Sequence, residues 1–271
     1  MKGVRGKLFF KKVFPEKHYF HMKKLRIMTY NIQHGHVHLD KYIDLTKVCD
    51  VIKEYSPDII GLNEVRGRGT NKDYTAQVET MAAYLGYHCY FGRSICIGGT
   101  NPYGNAILSK YPIIEASVIK IPNPVNPSAC RHFEPRSLCR CVIEVPADGE
   151  ASTYEGPVVN VAVYSSHFGL SEAEQEHAVS TAITTLSAEV LPFVLMGDFN
   201  MQPDNKLMQP LHAAYNSVDP LLVGKMSFPS DKPSIKIDYI YTSKDITITA
   251  ADIPQVIASD HCPIWADIEV E

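Results

Sequence analysis

Polar side chains that can bind a metal ion or move a proton recur where apolar segments of this sequence end. Asn31 ends LRIMTYN, Glu64 ends DIIGLNE and His167 ends VVNVAVYSSH. In α/β proteins functional sites usually lie at the carboxyl ends of strands, although a single acid there is more often part of a turn or a helix cap. Further candidates stand at or beside apolar strands: Asp198, Asn200, Asp238, Asp260 and His261. This recurrence favours one shared site over a set of unrelated turns.

The acids and the amide in this set have the ligand chemistry of a magnesium site. Glu64, Asp198 and Asp260 carry carboxylates, which are hard oxygen ligands of the kind that Mg²⁺ prefers. The side-chain amide oxygen of Asn31 is a ligand of the same type. These side chains are therefore candidates for binding a divalent cation.

Two imidazoles add groups that act near neutral pH. His167 and His261 can donate hydrogen bonds to phosphate oxygens or shuttle a proton. A divalent cation beside them would neutralise developing charge and lower the pKa of water. The combination predicts metal-assisted hydrolysis of a phosphoester, and a phosphodiester is the first choice.

The elements that must position these residues alternate between strands and helices. A Ser-x-x-Glu capping box at Ser171 predicts the start of one helix, and Gly86 is placed to end another. Helices that flank strand-rich blocks indicate two sheets packed face to face with helices outside. Strands are predicted over 25–32, 58–65, 105–109, 113–121, 137–145, 158–166, 193–196, 237–242, 246–250 and 264–270, and helices over 41–55, 77–85, 171–188 and 204–214.

Composition and charge describe a soluble globular protein. The 271 residues are 45% hydrophobic and 21% charged, and no stretch approaches the ~20 apolar residues of a transmembrane helix. Residues 1–21 hold six basic residues and one acid, a net charge of +5, so the remaining 250 residues carry −9 of the total −4. We interpret 1–21 as a flexible basic extension with weak contact to anionic surfaces as an alternative role, and 22–271 as a single domain.

The cysteines indicate a reducing compartment. There are seven, an odd number, and no two form a Cys-x-x-Cys pair. Neither a zinc knuckle nor a complete disulfide framework is therefore predicted. A cytoplasmic location follows as the expectation.

Eight motifs together resemble one protein superfamily. The chain is similar to the endonuclease/exonuclease/phosphatase superfamily over about residues 24–270, with the motifs in the family's order. The resemblance implies an α/β fold, a four-layered α/β/β/α sandwich of two packed mixed sheets, with the site at one edge. The motifs are TYNIQHG (29–35), IIGLNEV (59–65), YGNAILSKYPI (103–113), PRSL (135–138), SSHFG (165–169), GDFNMQP (197–203), KIDYIY (236–241) and SDHCPI (259–264).

The resemblance also implies a metal site and its cofactor. Glu64 would be the principal ligand of Mg²⁺, for which Mn²⁺ is a substitute. Asn31 and Asp260 would complete the metal shell, partly through water. The implied activity is that of a metal-dependent phosphoric ester hydrolase.

The same resemblance implies roles for five catalytic residues. Asp198 would orient or deprotonate the attacking water, and Asn200 would hold the scissile phosphate. His261 would donate to a phosphate oxygen, with Asp238 fixing its tautomer. His167 would contact the phosphate from the other side.

Two further residues are implied to bind substrate. Arg136 stands where the family often has a phosphate-facing arginine, whose planar fork of donors suits that role. Asn105 would orient His167 or touch the substrate. Tyr103 is a separate case, judged from the residue itself: it either stacks on the substrate or packs on the core.

The run HGHVH has two interpretations. At strand spacing, His34, His36 and His38 would gather a zinc ion, but solvated loop histidines are the simpler interpretation. Because His34 directly follows the site strand, it can also make a minor substrate contact.

The substrate is left open by the sequence. A nucleic acid, a lipid head group and a small phosphoester are all candidates, and the acidic body argues mildly against tight binding of nucleic acid. A catalytically silent binding module is the alternative of another class. No protein partner is inferred.

Overall fold

The computed structural model describes residues 23–40, 42–130, 132–146 and 158–270. The predicted basic extension, 1–21, lies outside the described residues. In chain order the strands are β1 (Lys23–Asn31), β2 (Ile59–Arg66), β3 (His88–Ile97), β4 (Asn101–Ser109), β5 (Ile113–Lys120), β6 (Ser137–Pro146), β7 (Val158–His167), β8 (Phe193–Asp198), β9 (Asn216–Ser217), β10 (Asp238–Thr242), β11 (Thr247–Asp252) and β12 (Ile264–Val270). The α-helices are α1 (Leu45–Tyr55), α2 (Gln77–Leu85), α3 (Glu172–Ser187) and α4 (Gln209–Ala214).

The first sheet has the strand order β11-β12-β1-β2-β4-β3. Its central strands β1 and β2 are parallel, and Asn31 pairs with Asn63 at their carboxyl ends. Because Glu64 follows Asn63, the side chains of Asn31 and Glu64 emerge at the same edge of this sheet.

The second sheet has the strand order β5-β6-β7-β8-β10-β9. Strands β7 and β8 are parallel, and their register pairs His167 with Asp198. Strand β10 is antiparallel to β8, so that its first residue, Asp238, pairs with Asp198 from the other side. Three candidate residues are thus neighbours through strand register alone.

Alternation along the strands builds the layers. In β1, Leu25 and Ile27 enter the core between the two sheets, whereas Met28 and Tyr30 face outward. Helices α1 and α2 cover that outer face, and α3 and α4 cover the outer face of the second sheet. The predicted four-layered α/β/β/α sandwich of two mixed sheets is therefore confirmed.

The hairpin of β3 and β4 differs from the sequence prediction. No strand was expected over 88–97, and β4 begins at Asn101 rather than at residue 105. Strand β3 is an edge strand with mostly half-buried side chains, which blurs the apolar alternation that marks a strand. Gly98 and Gly99 both have positive φ and form the turn between the two strands.

The helices agree with expectation except at two starts. Helix α1 begins at Leu45 rather than at residue 41, because the Asp44 side chain accepts a hydrogen bond from the Thr46 N–H and caps the helix there. The helix expected over 204–214 consists of a 3₁₀ turn followed by α4. The capping box of Ser171 and Glu174 forms as predicted at the start of α3. None of the helices in the described residues is long and apolar enough to cross a membrane.

Candidate active site

A buried carboxylate, Asp198, lies at the centre of the candidate site. Its Oδ2 is 3.5 Å from Nε2 of His261 and 3.4 Å from Nε2 of His167. The Asn31 Nδ2 donates to the same oxygen at 3.1 Å. Burial raises the pKa of Asp198 to about 7, and nearby Asp238 adds to the effect while His261 opposes it. A carboxyl group with such a pKa can accept a proton at neutral pH.

His261 is held by a second buried carboxylate. Its Nδ1 lies 2.9 Å from Oδ2 of Asp238. Burial alone would lower the pKa of His261, but Asp238 and Asp198 outweigh it and raise the pKa to about 10. His261 is therefore an imidazolium with its Nδ1–H on Asp238 and its Nε2–H directed toward the site.

His167 has the opposite electrostatic environment. Its Nδ1 lies 3.1 Å from Nη1 of Arg136, and its Nε2 is 3.0 Å from Nδ2 of Asn200. Burial, with help from the positive charges of Arg136 and His261, lowers the pKa of His167 well below its ordinary value. The Arg136 guanidinium and the Asn200 amide nitrogen both donate only, so the neutral ring can accept from one of them at a time.

Asn200 and Glu64 have left-handed backbone conformations at the site. Their φ angles are +53° and +59°, which non-glycine residues seldom adopt and which often occur at functional sites. The Asn200 N–H donates to Oδ1 of Asp198 at 2.9 Å, and its Nδ2 donates to the Phe168 carbonyl. These bonds hold the turn that follows β8.

Glu64 lies beside Asp198 through a shared asparagine. The Asn31 Nδ2 donates to Oε1 of Glu64 at 3.2 Å, and the Tyr103 hydroxyl donates to Oε2 at 2.9 Å. Burial raises the pKa of Glu64, and the charge of Asp260 adds to the shift. Asp260, half-buried, is thus within electrostatic reach of Glu64. The Asn31 amide oxygen accepts from the Gln33 N–H.

Arg136 and Asn105 line the wall of the site. A narrow crevice includes both residues together with Glu64 and His167. Arg136 also forms an ion pair with Glu134 at 3.2 Å. Asn105 is buried, and its partners are the Asn63 side chain and the Ser137 carbonyl rather than His167.

Asn63 was not selected from the sequence, and Tyr103 was expected to stack on the substrate or pack on the core rather than to donate to Glu64. The Asn63 Oδ1 accepts from the Asp198 backbone N–H at 3.0 Å, and its Nδ2 donates to Asn105. Asn63 therefore joins the two sheets at the site. The available signals were its place directly before Glu64 and the same-face spacing of Tyr103 and Asn105 on β4.

The donor set of the site fits a hard divalent cation. Asp198, Asp238 and His261 have ligand atoms within 4.8 Å of one another, a group that differs from the predicted ligands Asn31, Glu64 and Asp260. Its free ligand atoms are carboxylate oxygens, because Asp238 and Asp198 keep His261 protonated. Within the described residues, the buried Oδ1 of Asp238 has no hydrogen-bond partner. Crowded buried carboxylates with an unpaired oxygen fit a cation bound by oxygen ligands.

The histidines of HGHVH do not gather as a zinc site would. His38 forms a hydrogen bond with Asp231, with Nε2 3.0 Å from Oδ1, and the ring centres of His34 and His36 are 6.4 Å apart. Among the described residues, acids, histidines and cysteines come together closely enough to hold a metal ion only in the cluster of Asp198, Asp238 and His261. His34 instead faces Glu64, with its Nδ1 4.0 Å from Oε2.

Comparison with known proteins assigns the class to which this fold and site belong. The model of the endonuclease/exonuclease/phosphatase family matches residues 28–261, and the chain belongs to that family. Its members are hydrolases that act on phosphoesters.

Particular relatives agree with the family assignment. The uncharacterized protein YbhP of Escherichia coli (strain K12) is 24% identical over 263 residues, covering 90% of this chain and 96% of YbhP. A family structure from Beutenbergia cavernae is 25% identical with a TM-score of 0.70, covering 91% of this chain and 72% of that one. The mannosyl-6-phosphatase Bt3783 of Bacteroides thetaiotaomicron shares the fold, with 13% identity, a TM-score of 0.67 and coverage of 90% and 99%.

Proposed function

We propose that the protein is a Mg²⁺-dependent hydrolase that cleaves a phosphoester, most directly a phosphodiester, by in-line attack of an activated water. The observation that carries the proposal is the position of Asp198, whose Oδ2 lies within 3.5 Å of the Asn31 amide and of two imidazoles. A carboxylate in such a position can take the proton of a water held against a phosphate.

The proposed roles follow from the contacts of each side chain. Asp198 accepts the proton of the attacking water. His261, charged and oriented by Asp238, donates to a phosphate oxygen. Asn200 and His167 bind the phosphate beside Asp198.

A residue of the crevice wall can also neutralise negative charge on the phosphate. Arg136, next to His167, offers a guanidinium to the phosphate oxygens. For Asn105 we propose a supporting role, in which it holds Asn63 and thereby the backbone of Asp198.

Glu64 and Asp260 are the residues that we propose hold the metal directly, and Asn31 supports Glu64 through its Nδ2–H. A bound Mg²⁺, or Mn²⁺ as a substitute, would stabilise charge on the phosphoryl oxygens and lower the pKa of water. The raised pKa of Glu64 supports the assignment, since a buried carboxyl group without a cation resists ionisation. Tyr103 orients Glu64 through its hydroxyl group.

A small phosphoester is the second candidate substrate, in place of a nucleic acid. Glu134 forms an ion pair with Arg136 at the wall of the narrow crevice, which lowers the attraction of the site for a polyanion. The Bt3783 mannosyl-6-phosphatase has the same fold with a phosphomonoester substrate.

Two expectations about the whole chain remain proposals. The matched range 28–261 supports a single domain over 22–271. All seven cysteines are free, which supports a reducing, cytoplasmic location.

A substrate panel tests the proposed function. Supercoiled DNA, single-stranded RNA, sphingomyelin, inositol phosphates and aryl phosphoesters are assayed with Mg²⁺, with Mn²⁺ and with EDTA. We expect metal-dependent hydrolysis of at least one substrate, and a loss of at least ~10²-fold in each of Asp198→Asn, His167→Ala and His261→Ala. Near-normal rates in all three folded variants would refute the roles, and metal binding without hydrolysis of any substrate would favour a silent binding module.

A further inference from the structure

His34 lies in a left-handed turn directly after the candidate site strand. The backbone φ is +42° at Gln33, +47° at His34 and +79° at Gly35. Non-glycine residues are strained in this region, so such a turn persists only where its surroundings hold it. The turn therefore needs a specific support.

Gln77, the first residue of α2, supplies this support. Its side chain is buried; Nε2 donates to the His34 carbonyl at 2.7 Å, and Oε1 accepts from the Arg66 N–H at 2.8 Å. Arg66 is the last residue of β2, two positions after Glu64. One buried amide thus joins the His34 turn to the strand that carries Glu64.

The imidazole that this turn presents faces Glu64. The His34 Nδ1 is 4.0 Å from Oε2 of Glu64, and the ring centre is 6.2 Å from that of Tyr103. This Nδ1 is buried and has no hydrogen-bond partner among the described residues. Because buried polar atoms in folded proteins nearly always have a partner, this nitrogen is free to bind a ligand at the site.

His34 and Asp198 contact opposite ends of the Asn31–Glu64 pair. Asp198 meets this pair at the Asn31 amide, whereas His34 and Tyr103 lie at Oε2, the far oxygen of Glu64. In an in-line displacement the attacking oxygen and the leaving oxygen are on opposite sides of the phosphorus. A phosphorus atom bound along this pair, with its attacking water beside Asp198, would have its leaving oxygen on the side of His34.

We propose that His34 is a catalytic residue that donates a hydrogen bond from Nδ1–H to the leaving-group oxygen, and that Gln77 is its positioning residue. The proposal rests on the proposed function. The water oxygen forms the new bond to phosphorus, and its proton passes to Asp198. The ester P–O bond breaks with both electrons going to the leaving oxygen, which His34 stabilises until that oxygen takes a proton from solvent.

The test compares a good with a poor leaving group. The probes are 4-nitrophenyl methyl phosphate and phenyl methyl phosphate, with the two corresponding aryl phosphates for monoesterase activity. A donor to the leaving oxygen matters most where negative charge builds up on it. We expect His34→Ala to lower kcat/KM about 10²-fold for the phenyl substrate, the size of effect of a lost oxyanion donor, and at most about twofold for the 4-nitrophenyl substrate.

Further variants separate this role from a structural one. His34→Asn keeps a donor near the position of Nδ1 and tolerates the left-handed backbone, so it should restore most of the rate on the phenyl substrate. Gln77→Met should give the same selective loss as His34→Ala. His36→Ala, in the same turn, is the matched control and should change neither rate.

Each outcome has a defined consequence. An equal loss on both substrates, or no loss on the phenyl substrate, would overturn the role of His34 and leave the proposed function intact. Asp198→Asn is measured in parallel and should reduce both rates. Full activity of Asp198→Asn would overturn the proposed function and the role of His34 with it.

Discussion

Two groups of polar side chains at the second sheet have opposite electrostatic character. One is the candidate site around Asp198; the other, which we name the Arg140 cluster, consists of Arg140, Tyr164 and Glu189. In the Arg140 cluster, Oε2 of Glu189 accepts from Arg140 Nε at 3.0 Å, from Arg140 Nη2 at 2.9 Å and from the Tyr164 hydroxyl at 2.6 Å. Burial would raise the pKa of Glu189, but Tyr164 and Arg140 outweigh it and lower the pKa.

Apart from the pair of His261 and Asp238, the candidate site lacks such a balance. Burial raises the pKa of Asp198 and of Glu64, and it lowers the pKa of His167. The described residues place no arginine or lysine in contact with either carboxylate. The Arg140 cluster therefore stabilises the fold, whereas the site holds charge that a metal or a substrate must compensate, as is common at functional sites.

Replacing Asp198, the central acid of the candidate site, should give the largest effect on activity and little effect on stability. Asp198→Asn is expected to lower turnover at least ~10²-fold. The free energy of unfolding should change by less than ~1 kcal/mol, because removal of a buried charge offsets a weakened hydrogen bond. Steady-state rates and urea unfolding measure the two quantities. A large loss of stability would show that Asp198 acts as a structural acid.

The matching substitution in the Arg140 cluster should lower stability rather than activity. Glu189→Gln is expected to lower the free energy of unfolding by about 2 kcal/mol, since hydrogen bonds to a charged group are lost, and to leave turnover unchanged. Urea unfolding provides the measurement. The control is Glu115→Gln, because Glu115 also pairs with Arg140 but is 66% exposed; its effect should stay below ~0.5 kcal/mol.

Glu64 should differ from the acids around Arg140 in its effect on the metal dependence of activity. Glu64→Gln should raise the Mg²⁺ concentration for half-maximal activity by about 10-fold or more, because a charged ligand becomes neutral. Titration of activity with Mg²⁺ measures the shift, and Glu115→Gln again serves as the unaffected control. An unchanged titration would remove Glu64 from the metal site.

Acid should weaken the Arg140 cluster by a smaller amount. The pKa of Glu189 is lowered in the folded state from its ordinary value of 4.5. Its stabilising contribution is therefore complete above that value and is lost as the pH falls through the folded-state pKa. Urea midpoints at pH 7 and at successively lower pH should converge for the wild type and Glu189→Gln. Parallel curves would contradict a lowered pKa.

The sequence predicted the layers of the fold better than its edges. The central strands have long apolar runs, and the capping box at Ser171 marks the start of α3 through local hydrogen bonds. By contrast, β3 lies at a sheet edge with half-buried side chains, and its pairing with β4 depends on a turn of two glycines. Sequence patterns predict the buried strands and the helix start, because burial and capping leave a clear local signal. The half-buried edge strand β3 leaves a weaker signal.

The candidate site also combines residues that a local pattern predicts with residues that it does not. Residues at strand ends, such as Asn31 and His167, could be selected from sequence because strand direction decides where they emerge. The contacts of Asn63, Tyr103 and Gln77 depend on how distant segments align in space. The roles of all these residues remain proposals that the experiments above address.

The pairing of His167, Asp198 and Asp238 across three adjacent strands has a consequence for how the protein is handled. A slip of one residue between β7 and β8 would turn alternate side chains to the opposite face and separate the imidazole from the acid. Specific activity of a purified batch would then report the fraction of molecules with correctly aligned strands, a quantity that circular dichroism does not resolve.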